Sequence, residues 1–244
     1  MKNSCLVALL TVAVLTGTTL FAMTPPGIVP QESLMEGDLG ALSVGGNYED
    51  GNRMIADSSS GDTTLIHIKS YFAYLGYDVV DWWTVYGTVG KASAEVDDSP
   101  ITGDAKTKWS LGTCLYIFHT DVEEPEDFEG RLGVKLAVEY ARYQTGTQGT
   151  DAKWSDISIV LPISYELYGE DSWPFCSLVV YAGPAYSAIS GSVSGRDSSD
   201  FTQDRAIGMI GGVDLTFYKE KVSIGAYVQN FGETALGYGV RYHF

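Results

Sequence analysis

The stretch GRLGVKLAVEYARYQ, residues 130–144, decides the fold. Leu132, Val134, Leu136, Val138 and Tyr140 occupy its even positions, and Arg131, Gly133, Lys135, Ala137, Glu139 and Ala141 alternate with them. Successive side chains of a β-strand point to opposite faces, so this period of two gives one oily face and one charged or very small face. The segment 153–167 repeats it. Ile157, Ile159, Leu161, Ile163 and Tyr165 share one side, and Asp156, Ser158, Val160, Pro162, Ser164 and Glu166 share the other. The final segment repeats it again, with Leu236, Tyr238, Val240, Tyr242 and Phe244 set against Gly237, Gly239, Arg241 and His243.

The same reading places strands at 40–49, 64–78, 83–94, 106–120, 175–191, 205–219 and 222–231, which makes ten. Eight is the alternative, with the first or ninth segment absorbed into loops. The connections 50–63, 95–105, 145–152, 192–204 and 232–235 are mostly longer and rich in Gly, Ser and Asp. The opposite set, 79–82, 121–129, 168–174 and 220–221, is mostly shorter. An even number of strands with long loops at one end and tight turns at the other describes an all-β, antiparallel, up-and-down transmembrane barrel.

A soluble β-sandwich would also alternate, but its polar face meets water and carries long charged side chains. Here that face is filled with Gly, Ala and Ser, which suits the crowded interior of a narrow barrel. The tryptophans gather at segment ends: Trp82, Trp83 and Trp173 by short turns, Trp109 and Trp154 toward long loops. Two membrane interfaces predict two aromatic belts. Composition agrees, since 28 Gly and 16 Tyr in 244 residues fit a β protein better than a helical one. Acids outnumber Lys and Arg by 31 to 15, a net charge of -16, which excludes nucleic-acid partners and disfavours peripheral docking on an anionic membrane.

The first 22 residues, MKNSCLVALLTVAVLTGTTLFA, read as a cleaved secretory signal peptide: Lys2, then an apolar run from Leu6 to Leu15, then small and polar residues, with a bulky Leu20, before Ala22 as the last residue of the leader. Residues 23–39 would form a short periplasmic segment and 40–244 the barrel. The mature chain keeps Cys114, inward at mid-barrel, and Cys176, on the oily side of a periplasmic end. That geometry predicts no bridge between them. Pro162 and Pro184 fall inside strands, where each should mark a bulge or weak pairing.

The ending GYGVRYHF resembles the carboxy-terminal assembly signal of bacterial outer-membrane proteins, and YLGYDVVDWWTVYGTVGKA (74–92) resembles a strand–turn–strand hairpin of the small OmpA-barrel and opacity-type porin superfamily. The resemblance implies residence in the outer membrane of a Gram-negative bacterium. It also implies contact with outer-membrane lipid and lipopolysaccharide, and recognition of Leu236, Tyr238, Val240, Tyr242 and Phe244 by the barrel-assembly machinery.

With the oily face outward, the lumen should hold His67, Lys69, Arg131, Lys135, Glu139, Asp156, Glu166, Asp214, Arg241 and His243. Without the histidines these are four cations and four anions, a balance suited to a paired network that constricts the lumen. The expected function is a non-enzymatic, porin-like or structural surface protein with a narrow charge-lined lumen, needing no cofactor or metal. Two alternatives stand beside it: an adhesin using acidic outer loops toward an unknown surface ligand, and an integral outer-membrane hydrolase. The hydrolase would rest on His67 with Glu49 and Asp156 at the same rim as a general-base pair. No enzyme-family motif surrounds His67.

Overall fold

The 130–144 stretch lies within β5 (Glu129–Thr147), and its phase is as read: Lys135, Ala137, Glu139, Ala141 and Tyr143 are buried inward, while Tyr140 is exposed outward. In the computed structural model the described residues are 42–80, 82–96, 103–123, 129–147, 150–168, 175–194, 199–217 and 221–244. The expected leader and 23–39 segment, and Trp173, lie outside them. Before β5 come β1 (Leu42–Asp57), β2 (Thr63–Val80), β3 (Trp83–Val96) and β4 (Asp104–Glu123). After it come β6 (Thr150–Val160), β7 (Ile163–Tyr168), β8 (Ser177–Ser194), β9 (Ser199–Gln203), β10 (Ile207–Phe217), β11 (Val222–Asn230) and β12 (Thr234–His243).

Each strand pairs antiparallel with its neighbour, and β12 returns to β1 with Ser43 opposite His243 and Gly51 opposite Ala235, closing the sheet. Ten strands build the wall. β6 and β7 are halves of one strand, because both pair with β5 on one side and β8 on the other. The break is at Leu161 and Pro162. Pro184 of β8 faces that break and accepts a 3.0 Å bond from the Leu161 amide. Each proline lacks an N–H, so the ladder opens where the two meet. β8 itself stays continuous through Pro184.

Two connections are not the loops expected. β1 runs on to Asp57 instead of ending at residue 49, paired with β2 from Leu42–Tyr77 to Ala56–Thr63. The Asp50-Gly51-Asn52 cluster reads as a turn but lies in a ladder, since cross-strand pairing overrides local turn preference. β9 arises inside the expected loop 192–204. It pairs with β8 (Gly191–Phe201) and with β1 (Asp57–Phe201). Within the apolar band β8 and β1 are separated by β10, β11 and β12. Above the short β11–β12 turn, β9 alone bridges them. The barrel therefore narrows from ten strands in the band to eight at the loop end.

Outward faces are apolar. Leu75, Leu111, Ile117, Ile163, Met209 and Val240 are all exposed, which only surrounding hydrocarbon makes tolerable. Toward the loop end the outward aromatics are Tyr48, Tyr71, Trp109, Tyr140, Tyr186 and Tyr238; toward the end holding the carboxy-terminus they include Tyr77, Trp82, Phe118, Tyr242 and Phe244. Trp154, expected in a belt, instead turns inward and stacks on Tyr143 at 5.1 Å. A barrel strand crosses the membrane in ~9–11 residues. β2 has 18 and β4 has 20, so the excess stands above the band at the loop end.

Candidate functional site

The interior is built from alternate residues of every wall strand. Its framework is aromatic: Phe72, Tyr74, Tyr86, Tyr143, Tyr181 and Tyr227 are all buried inward. Large rings fit because the adjacent strand offers glycine beneath them. A Cβ at Gly112 would strike the Tyr86 ring, and one at Gly237 would strike the Tyr227 ring. This explains the pattern of tiny inward residues at sequence level.

Threaded between the rings is a polar network in two tiers. Toward the loop end, the Lys108 ammonium of β4 lies 2.7 Å from the Glu49 carboxylate of β1. The Ser70 hydroxyl (2.6 Å) and Tyr227 hydroxyl (3.1 Å) also donate to Glu49. The same ammonium sits 3.7 Å above the centre of the Phe72 ring. Tyr86 donates to Glu139 at 3.2 Å, and Ser187 to Asp156 at 3.0 Å. The Arg53 guanidinium lies 4.1 Å from the centre of Phe231. In the opposite half, Lys135 sits over Tyr116 at 4.4 Å and Arg241 over Tyr74 at 5.0 Å, while the Ser223 hydroxyl is 3.2 Å from His243 Nε2. Glu166 and Asp214 are buried in the same half.

Seven of the ionisable residues expected inside are therefore there: Lys135, Glu139, Asp156, Glu166, Asp214, Arg241 and His243. Arg131 lies at the turn-end mouth, where its Nε donates to Asp121 at 2.9 Å. That bond and the guanidinium charge hold the exposed Asp121 carboxyl below its ordinary range. His67 and Lys69 are not in the lumen. On β2 the inward positions are Ile66, Ser70, Phe72, Tyr74 and Asp78, so the odd-numbered pair faces outward. His67 Nε2 is 3.2 Å from Asp50 and Nδ1 is 3.1 Å from Asn52 Oδ1, so both ring nitrogens face carboxylate or amide oxygen. Glu49 and Asp156 face the lumen on the other side of the wall. The general-base grouping of His67 with those acids does not form.

Sequence reading missed three inward groups as network members: Glu49, Arg53 and Lys108. Lys108 was within reach, because it has the same parity as Cys114, which was placed inward. Arg53 was hidden in the stretch read as a loop. Among the described residues no three His, Cys, Asp or Glu side chains converge to hold a metal ion. Cys114 is buried in the lumen, Cys176 is partly exposed just before β8, and both are free thiols.

No protein-family model and no curated protein matches the chain. Solved structures with a similar course of strands exist. The transport unit of the autotransporter AIDA-I from Escherichia coli aligns with TM-score 0.46 and 12% identity over 92% of this chain and 94% of that one. The attachment invasion locus protein Ail of Yersinia pestis aligns with TM-score 0.33 and 10% identity over 85% and 100%. Neisserial surface protein A aligns with TM-score 0.32 and 12% identity over 83% and 97%.

Proposed function

We propose that the protein is an outer-membrane barrel with a closed lumen, a non-enzymatic surface protein whose wall carries a rigid, strand-built rim above the membrane, and not a diffusion pore. One observation carries this reading. The lumen lysines Lys108 and Lys135 are each only 1% exposed. A water-filled channel would expose its long charged side chains, because each would be solvated along the path. Here the ammonium groups rest on aromatic faces and carboxylates, as dry charges must. The outward apolar wall and aromatic belts support the membrane setting. The porin-like alternative requires the ring stack to part.

Conductance across a planar bilayer tests the proposal. Refolded protein should insert and stay silent at all voltages below membrane breakdown. Reproducible discrete steps would overturn it.

A further inference from the structure

We propose that the lumen carries a structural site for one monovalent cation of sodium's size, taken up as the barrel folds and held between the Asp214 carboxylate and the Asn47 side-chain oxygen. This goes beyond the closed-lumen reading and does not depend on it, since such a site fills during folding whether or not the finished lumen conducts.

One row of the wall builds the site. Asp214 of β10 lies opposite Gly225 of β11, Gly225 opposite Gly239 of β12, and Gly239 opposite Asn47 of β1. All four share the inward parity of their strands. Two glycines side by side leave a bare patch of lumen wall, and the flanking side chains lean over it from either end. Asp214 Oδ1 stands where a Cβ of Gly225 would be, and Asn47 Oδ1 where a Cβ of Gly239 would be. Directly opposed Cβ positions in a ladder are about 4.5–5.5 Å apart, so the two oxygens face each other across about that width. The gap is too wide for a hydrogen bond of about 2.7–3.2 Å. It is close to twice the ~2.3–2.6 Å at which a hard cation takes oxygen ligands.

The second observation is what these groups lack. Asn47 is 6% and Asp214 5% exposed. Both polar atoms of the Asn47 side chain and Oδ2 of Asp214 are buried without a hydrogen-bond partner among the described residues. Arg241 stands two residues beyond Gly239 but does not answer the carboxylate. Its guanidinium lies 5.0 Å from the centre of Tyr74, its Nε has no hydrogen-bond partner, and it forms no ion pair with Asp214. A carboxylate and an amide buried in this way are strongly destabilising unless something meets them.

Charge decides what meets them. Among the described residues, the turn-end half of the lumen buries the carboxylates of Asp78, Glu166 and Asp214 against the cations of Lys135 and Arg241. Three against two leaves one negative charge, with histidine counted as neutral. One monovalent cation balances it, a divalent ion overshoots, and an anion deepens the imbalance. One carboxylate and one amide oxygen, with water completing the shell, suit a hard cation better than a transition metal. The site is bounded on both sides along the barrel axis. Toward the loop end stands Tyr227, whose ring covers Gly237; toward the turn end stand Ser223 and Arg241.

Urea unfolding and refolding of the full mature barrel in zwitterionic lipid vesicles tests this, with sodium chloride exchanged stepwise for choline chloride at fixed pH and ionic strength. An ion bound only by the folded state raises the folding constant in proportion to its concentration once above its dissociation constant, so each tenfold rise in sodium should raise that constant about tenfold. Caesium, too large for the gap, should behave like choline. Asp214→Asn keeps the shape, removes the charge and should abolish the sodium dependence. Glu95→Gln, exposed on the outer face of β3, should leave it intact. Each variant must first show heat-modifiable migration, which establishes a folded barrel. Wild-type stability that is the same in sodium and choline overturns the proposal and requires no variant. An equal dependence on caesium overturns it, as does a sodium dependence undiminished in Asp214→Asn or lost in Glu95→Gln.

Discussion

Lys108 and Glu49 meet across the lumen, from β4 to β1, with 2.7 Å between ammonium and carboxylate and side-chain exposures of 1% and 4%. The two strands are not neighbours in the wall, since β2 and β3 lie between them. The pair is thus a strut inside the barrel. Ser70 and Tyr227 complete the carboxylate's hydrogen bonds, so the charge is dry yet satisfied.

Breaking this strut on one side should be worse than removing it. Lys108→Met or Glu49→Gln alone leaves a partner buried without its counter-charge, which costs about 3–5 kcal/mol. Glu49→Gln combined with Lys108→Met should recover much of that loss. Urea unfolding in lipid vesicles measures all three variants. Additive losses in the double variant would mean the two residues act independently.

The strap β9 should be separable from the wall. Thr202 lies opposite both Ala56 of β1 and Ser190 of β8. Thr202→Pro removes one donor from this three-strand stretch. Losing a ladder bond of about 1 kcal/mol raises local opening roughly fivefold. Amide exchange at Ile55–Asp57 should accelerate to that degree while the β10–β11 amides stay unchanged. Uniform acceleration would mean that the strap is integral to the barrel.

The β1–β2 hairpin has its own pH dependence. Asp57 accepts from the Ser59 hydroxyl at 2.5 Å and from the Ser59 and Ser60 amides at 2.7 and 3.0 Å. These bonds, the hydroxyl first, draw its carboxyl down from 3.8 to about 2. A depressed carboxyl stabilises the turn above its unfolded value and loses that contribution as pH falls through the folded one. Turn order should therefore persist through pH 4 and fade toward pH 2. Carboxyl titration by NMR should find the low midpoint; one near 3.8 would mean the Asx turn is not formed in solution.

Phe244 should matter for assembly more than for the finished barrel. Its ring is 66% exposed and meets Tyr242 edge-on at 5.0 Å, and its amide donates to the Leu42 carbonyl at 3.0 Å. Burying such a ring contributes at most about 1.5–3 kcal/mol, and little of it is buried by protein. Deleting Phe244 should lower the yield inserted in cells and leave detergent refolding nearly intact. Equal failure of both would make Phe244 a packing residue.

How legible the interior was depended on the contrast between faces. On β5 one face is Leu, Val and Tyr and the other Lys, Gly, Ala and Glu, so parity was unambiguous. On β2 both faces are apolar: Phe72 and Tyr74 fill the lumen while Tyr71 and Leu75 meet lipid. The local Ile66-His67-Ile68-Lys69 alternation then pointed the wrong way. It lies near the loop-end edge of the band, where outward residues become polar and Ile66 is free to turn inward. Arg53 and β9 were illegible for another reason. Their segments carry turn-forming residues, and only pairing with distant strands makes them extended. Glu49–Lys108 joins residues 59 positions apart, a proximity no local pattern encodes.

Cys114 offers the most direct test of the closed lumen, because it is a native thiol at mid-barrel, only 6% exposed. Cys176, partly exposed at the turn end, is an internal reference in the same chain. A small charged thiol reagent applied to the folded mature protein should modify Cys176 and leave Cys114 untouched until the barrel is unfolded. Modification of Cys114 in the folded protein at a rate close to that of Cys176 would mean that water and ions reach the middle of the lumen, and would contradict the closed barrel.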